Sequence, residues 1–502
     1  MKKLMTLFLS VALTELSVLA YDFEVEGVYY NVLPSATEVE VTCNDENGYY
    51  GIGSYAGSIK IPATVTHEGI AYNVTAIGDN AFAGSSRAFA IEIPDVASIG
   101  RKAFHGCTVL RKLTIPTTVK SIGEMAFSQC NALKELVIPA GVSQIGSKFI
   151  MHCAALTTLT VDAGNVDYCS ENNIIYNGDK SKLICAIPSY SGDLVVPAMV
   201  KEIGDNAFAE CDGLSSIDLA NVETIGEFAF FNCARLISVT IPSSIKKISR
   251  GAFMGCPNLK TLTLGSGVTE IASHGFYHCR NLASVDIQSS ELKIGDYAFA
   301  SSKYLTLKEI PSSVSEIGDY AFSYCIKLPS MKFADSVRTI GSRAFIGCSK
   351  LAFLEFGNAV ESIADSAFYK CDQVRSVAVT TIVPPAIGPN TFAYVTSQYK
   401  NLTVPYGAVD DYANAENWNK FVNIKEATSS IGEIISKDNI KVLSSEGCIS
   451  ISGVVDENAT VVVYDVNGRK VVDTTVSKVG NMQFSPGIYI VVVEKNQIKL
   501  IL

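Results

Sequence analysis

The sequence predicts a solenoid of parallel strands and short helical turns with β caps, followed by a small all-β sandwich. Two observations carry this. A unit written Ile-Gly, Ala-Phe, Cys and then Leu-x-x-Leu-x-Ile, usually with Pro, starts at Ile77, Ile99, Ile122, Ile145, Ile203, Ile225, Ile248, Ile271, Ile294, Ile317, Ile340 and Ile363. Its steps are 22 or 23 residues, apart from one of 58 between Ile145 and Ile203. Periods of this size mark stacked repeats, in which each coil touches only its neighbours, so a chain of 502 residues needs no single large core. After about residue 438 the period changes to short valine-rich strands separated by turns, as in a small β domain.

Residues 1–20 carry Lys2 and Lys3, an apolar run from Leu4 to Leu13 and the sequence Val18-Leu19-Ala20, the pattern of a secretory signal peptide. Residues 21–76 alternate apolar and polar and read as an N-terminal β cap, because a solenoid otherwise ends in a bare core and an unpaired sheet edge. Tyr29, Tyr30 and Tyr72 are expected to seal the first coil.

Residues 77–380 form the repeat region. The spacing Leu-x-x-Leu-x-Ile is that of a leucine-rich repeat, so the fold class is a leucine-rich repeat solenoid. Ile-Gly should open a short helical turn holding Ala-Phe. The extended strand follows, and the prolines at 116, 139, 242 and 311 end it because they lack the N–H that pairing needs. The glycine permits either a close backbone approach or a φ that a side chain hinders. Phenylalanines from Phe82 to Phe368 should form a buried spine. The long step holds an insertion at about 165–199, with a hairpin turn at Asn177-Gly178 and Cys169 and Cys185 on either side. Residues 381–427, with the single tryptophan Trp418, read as a C-terminal cap, 428–438 as a linker and 439–502 as the β-sandwich.

The formal charge of −10 and the absence of a basic run argue against nucleic acid as a partner. Ten of the 14 cysteines share one repeat position, as in Cys107, Cys130 and Cys153, which points to a reduced, buried ladder. Ligands 23 residues apart along a rod do not converge on a tetrahedral metal. His274 and His278 lack the glutamate of a zinc-binding H-E-x-x-H, and there is neither a phosphate-binding loop nor a G-x-S-x-G elbow. No enzyme activity, metal or cofactor is predicted.

Function is therefore expected on the variable surface. The residue between the last two apolar positions of each strand points outward: Thr114, Val137, Thr160, Asp218, Thr240, Thr263, Asp286, Glu309, Lys332, Glu355 and Ala378. This row is the candidate partner-binding face, rich in threonine first and acidic later, with Asp286, Glu309 and Glu355 expected to prefer a basic patch.

The unit I-G-x-x-A-F-x-x-C-x-x-L-x-x-L-x-I-P resembles the BspA-like leucine-rich repeats of bacterial surface proteins, over roughly residues 70 to 425. Small departures occur: Ser249 and Ala364 replace the glycine, Ser85 and Ser302 the cysteine, and Lys308 a strand leucine. The resemblance implies a secreted or surface-attached adhesin-like protein that binds host or bacterial proteins, such as matrix or cell-surface proteins. The alternative is a surface glycan-binding accessory protein, which requires exposed aromatics. VYDVNGRKV (463–471), PGIYIVVV (486–493) and IKLIL (498–502) resemble the C-terminal sorting domain of the type IX secretion system of Bacteroidetes. That likeness implies secretion machinery as a further partner and no transmembrane span in the mature chain.

Overall fold

The computed structural model describes residues 21–44, 55–393, 401–405, 407–427, 434–435, 441–445, 448–452, 460–465, 469–475, 488–493 and 496–501. The expected signal peptide lies outside these residues, as does most of the expected linker. The chain divides into two compact units, Met1–Leu236 and Ile237–Leu502.

Both units are leucine-rich repeat solenoids built from the same coil. In the Ile122 coil an edge strand, Ser121–Ile122, leads through a turn segment to a face strand, Glu135–Ile138. Both strands pair in parallel with their equivalents one coil on, Ile122 with Ile145 and Leu136 with Leu159. Face strands alternate: Leu136 and Ile138 are buried while Glu135 and Val137 are exposed, as the pleat requires.

The turn segment is not the short helix expected. Among the described residues the α-helix is Val409–Asn414, outside the repeats. In the Ile99 coil the N–H groups of Ala103, His105 and Cys107 each bond back three residues, to Gly100, Lys102 and Phe104. The N–H groups between them, of Lys102, Phe104 and Gly106, reach the next coil at Glu124 O, Ala126 O and Ser128 O, at 2.8, 2.7 and 2.9 Å. With every second donor committed to a neighbour, helical pairing cannot propagate, and overlapping β-turns result. Such turns place residues at positive φ three and seven positions after the isoleucine. These are Lys102 (φ 55) and Gly106 (φ 74) here, and Tyr297 (φ 56) and Ser301 (φ 62) in the Ile294 coil.

The glycine after the isoleucine answers the question the sequence left open. It is there for close approach. A Cβ on Gly123 would lie 2.4 Å from Arg101 N, and one on Gly146 would lie 2.3 Å from Glu124 N. One position on, aspartates tie coils together: Asp79 accepts from Arg101 N at 2.6 Å and Asp319 from Ser342 N at 2.6 Å.

In the first unit, Phe82, Phe104 and Phe127 stack face to face at 5.3 and 5.5 Å, and Phe208 stacks on Phe230 at 5.3 Å. Ile150 holds the spine position of the Ile145 coil, at 3% exposure. In the second unit the spine runs from Phe253 through Phe276, Phe299, Phe322, Phe345 and Phe368 to Phe392, with spacings from 5.1 to 5.5 Å.

Strand pairing carries the stack beyond the twelve starts visible in the sequence. Val41 pairs with Ile77, Leu183 with Ile203 and Ile363 with Ile387, each in parallel, giving about 15 coils. The N-terminal cap proper is antiparallel: Phe23–Val25 on Val28–Val32, and Thr64–His67 on Ile70–Ile77. Tyr30 and Tyr72 are buried against Phe23, each ring 5.4 Å away, while Tyr29 is half-buried. Tyr55, which the pattern did not single out, meets the first spine ring, Phe82, at 4.5 Å. At the other end Phe392 packs on Trp418 and Phe421, and the indole N–H donates to Pro385 O at 2.8 Å.

The insertion is an antiparallel meander of Tyr168–Glu171, Ile174–Asn177 and Lys182–Ala186. Its last strand doubles as the edge strand of the coil starting at Leu183, whose face strand is Ser191–Val195. Residues 183–199 are therefore coil, hidden because leucine replaces isoleucine and the Ala-Phe and Cys marks are gone. Cys169 and Cys185 are free and lie on strands either side of Ile174–Asn177, so two strand spacings of about 4.8 Å part their backbones. After residue 434 the described strands form two antiparallel sheets, one of three strands and one of four.

Gly123→Val is expected to lower stability by roughly 1–3 kcal/mol, because the methyl groups must displace backbone rather than a side chain. A urea midpoint equal to that of the wild type would contradict the close-approach role.

Candidate functional site

The outward row read from the sequence is real in geometry but divided. Val137 pairs with Thr160; Thr240, Thr263 and Asp286 pair in series, as do Glu309, Lys332, Glu355 and Ala378, each with the next. Thr114 and Asp218 are exposed, Thr114 between buried Leu113 and Ile115 and Asp218 in register with Val195. Thr263, Glu355 and Ala378 are half-buried and the others exposed. Five members escaped the sequence pattern: Lys60 and Glu92, paired on the strands before Thr114, Val195 in the hidden coil, and Thr403 and Lys425, which continue the register past Ala378.

Register also changes the electrostatics. Lys332 sits between Glu309 and Glu355 on adjacent strands, with its Nζ 3.4 Å from Glu355. The acidic end expected from the sequence is an alternating row, acid–base–acid, and Lys425 adds a second cation at its far end. Edge strands alternate in the same way, with Lys247 on Glu270 at 2.8 Å and Lys293 on Glu316 at 2.7 Å. Exposed pairs of this kind add little stability, but like charges in direct register would be unfavourable, so they favour one register.

The ten ladder thiols are buried and free. Each points to the preceding coil: Cys107 donates to Phe82 O, Cys130 to Phe104 O and Cys348 to Phe322 O, all at 3.2 Å. Burial pushes Cys107 and Cys153 up to about 12, so these groups are neutral thiols at physiological pH. Among the described residues no group of three or more His, Cys, Asp or Glu could hold a metal ion.

On the turn side of the second unit, rings line up at the position three after the isoleucine. His274 stacks on Tyr297 at 4.7 Å and Tyr297 on Tyr320 at 4.6 Å, with interplanar angles of 15° and 5°. Arg343 Nη1 donates to Tyr320 Oη at 3.0 Å and its guanidinium lies 5.6 Å from the ring centre. Sequence reading missed this column because it counted aromatics without the 23-residue register that stacks them. His274 and His278 are half-buried beside Tyr277, and burial lowers the pKa of both.

The repeat geometry meets its counterpart in known families here. The BspA type leucine-rich repeat region matches in six copies, over residues 59–177, 190–306 and 292–419. The chain belongs to the BspA-type leucine-rich repeat family. Among solved structures it is similar to a leucine-rich repeat protein from Bacteroides ovatus, with 26% identity over 76% of this chain and 100% of that one, at a TM-score of 0.48. A leucine-rich repeat protein from Eubacterium ventriosum has 19% identity over 69% of this chain and 93% of its own, at 0.47. The pneumococcal vaccine antigen PcpA has 16% identity over 81% and 98%, at 0.43. No curated protein sequence matches the chain. Among the described residues no helix is long and apolar enough to cross a membrane.

Proposed function

We infer that this BspA-type protein is a secreted or surface-attached, non-enzymatic binding protein that recognises host or bacterial proteins through its face strands. The observation that carries the reading is the division of labour within each coil. The residues that recur from coil to coil, Phe, Cys and Gly, face inward, while the row through Thr240, Thr263 and Asp286, and through Glu309, Lys332 and Glu355, differs from coil to coil on the outside of a paired sheet. A broad face of mixed threonine and alternating charge suits protein surfaces of matching alternation.

The glycan-binding alternative requires exposed aromatics, and the aligned column of His274, Tyr297 and Tyr320 is half-buried. Their planes are stacked on one another, so they offer edges and hydroxyls to solvent rather than the open faces on which sugars stack. This favours the protein-binding reading. The C-terminal strands, with VYDVNGRKV (463–471) flanking an antiparallel pair, support a sorting domain for type IX secretion.

A pull-down of host matrix and bacterial surface proteins by the purified chain supplies the ligand for the decisive comparison. The triple variant Glu309→Gln, Lys332→Ala, Glu355→Gln should weaken that binding about tenfold and flatten its salt dependence. Unchanged affinity and salt slope would exclude this part of the face. Deleting residues 439–502 should hold the protein in the periplasm of its own cells. Continued surface display would rule out the sorting role.

A further inference from the structure

Among the described residues of the first unit, the main-chain ladder between turn segments is interrupted after the Ile145 coil. In an ordinary pair of coils, Met125, Phe127 and Gln129 donate N–H groups to Ser147 O, Phe149 O and Met151 O at 3.0, 2.8 and 2.8 Å. One coil on, the equivalent donors are Lys148, Ile150 and His152. Among the described residues none of these three N–H groups has an acceptor. The facing wall is the turn segment of the Ile203 coil. There Ala207 O accepts from Ala186 N at 2.8 Å, while Asp205 O and Ala209 O, which occupy the other two accepting positions, have no donor among the described residues.

The cause is the hidden coil between them. From Leu183 to Ile203 is 20 residues, shorter than its neighbours, and the chain passes through Ala186-Ile187-Pro188 without projecting a turn segment. Pro188 brings no N–H of its own. What remains is a groove of about 200 Å³ floored by Ile184, Cys185, Ala186 and Pro188. It opens at Pro188 into a wider cleft of about 700 Å³, where His152 Nδ1 and Glu210 Oε2 meet across the gap.

We propose that this notch binds a short polypeptide segment of a partner protein, held by its main chain in the place that a turn segment takes in the other coils. Its carbonyls accept from Lys148, Ile150 and His152, and its N–H groups donate to Asp205 and Ala209. Donors on one wall and acceptors on the other match a peptide backbone, which carries both at every residue. An anion would satisfy the first wall and be repelled by the second, where carbonyl oxygens stand with Glu210 and Asp212 at the rim. The apolar floor and narrow groove suit small side chains, and Lys148 at one end against Glu210 at the other favours a segment with an acidic residue toward Lys148. The site is on the turn side of the coil and does not depend on the face strands, so either reading can fail alone.

The test uses the full chain and a phage-displayed library of random linear dodecapeptides, from which recovered peptides are synthesised. Expected are peptides that lose at least about tenfold in affinity for Ala209→Trp, which fills the groove, and keep it for the Glu309→Gln, Lys332→Ala, Glu355→Gln variant. They should also slow amide exchange at Lys148, Ile150 and His152. Ser147→Trp, on the exposed lip of the groove, repeats the measurement without entering the core. The proposal is overturned if no peptide is recovered, if both occluding variants bind as the wild type does, or if inorganic phosphate protects the same three amides and displaces the peptide.

Discussion

Everything in this molecule depends on how closely one coil lies on the next. Where the edge strand turns, a glycine comes within a Cβ's reach of the preceding backbone, as Gly146 does at Glu124 N. That approach lets every second turn N–H bond across to a neighbour, and it sets the spacing of 5.1–5.5 Å at which the phenylalanines stack. Left-handed conformations at side-chain-bearing residues such as Lys102, Met125 and Tyr297 cost about 1–3 kcal/mol each. The cross-coil hydrogen bonds that they permit offset this cost, which a single isolated coil could not do.

The period, the phenylalanine spine and the cysteine ladder were legible because they are side-chain identities that recur. A Leu-x-x-Leu-x-Ile run also announces its own pleat, so the outward exposure of Val137, Thr240 and Glu309 was legible too. What could not be read was conformation imposed by neighbours. Nothing in Lys102 or Phe228 signals positive φ, since the neighbouring coil and not the residue selects it. The helical turn expected from Ala-Phe failed for the same reason. Coils at Val41, Leu183 and Ile387 were hidden because strand register defines a coil, and these three lack part of the side-chain signature. The acidic end of the face dissolved once register set Lys332 between Glu309 and Glu355.

This separation of labour frees the surface. Because the main chain and the inward residues hold the stack, positions such as Val137, Asp286 and Lys332 can change without disturbing it. Variation in coil length acts differently. The short coil after Leu183 keeps its edge strand paired with that of the next coil, Leu183 on Ile203, but breaks the turn-segment ladder, so a departure from the repeat becomes a shaped opening.

The most direct measurement is residue-resolved native-state amide exchange of the unliganded chain. If the cross-coil ladder is what binds the stack, Lys102, Phe104 and Gly106, and likewise Tyr297, Phe299 and Ser301, exchange slowly. Lys148, Ile150 and His152 should exchange on the order of a hundredfold faster despite their place inside the first unit. Equal protection at all nine would contradict the account.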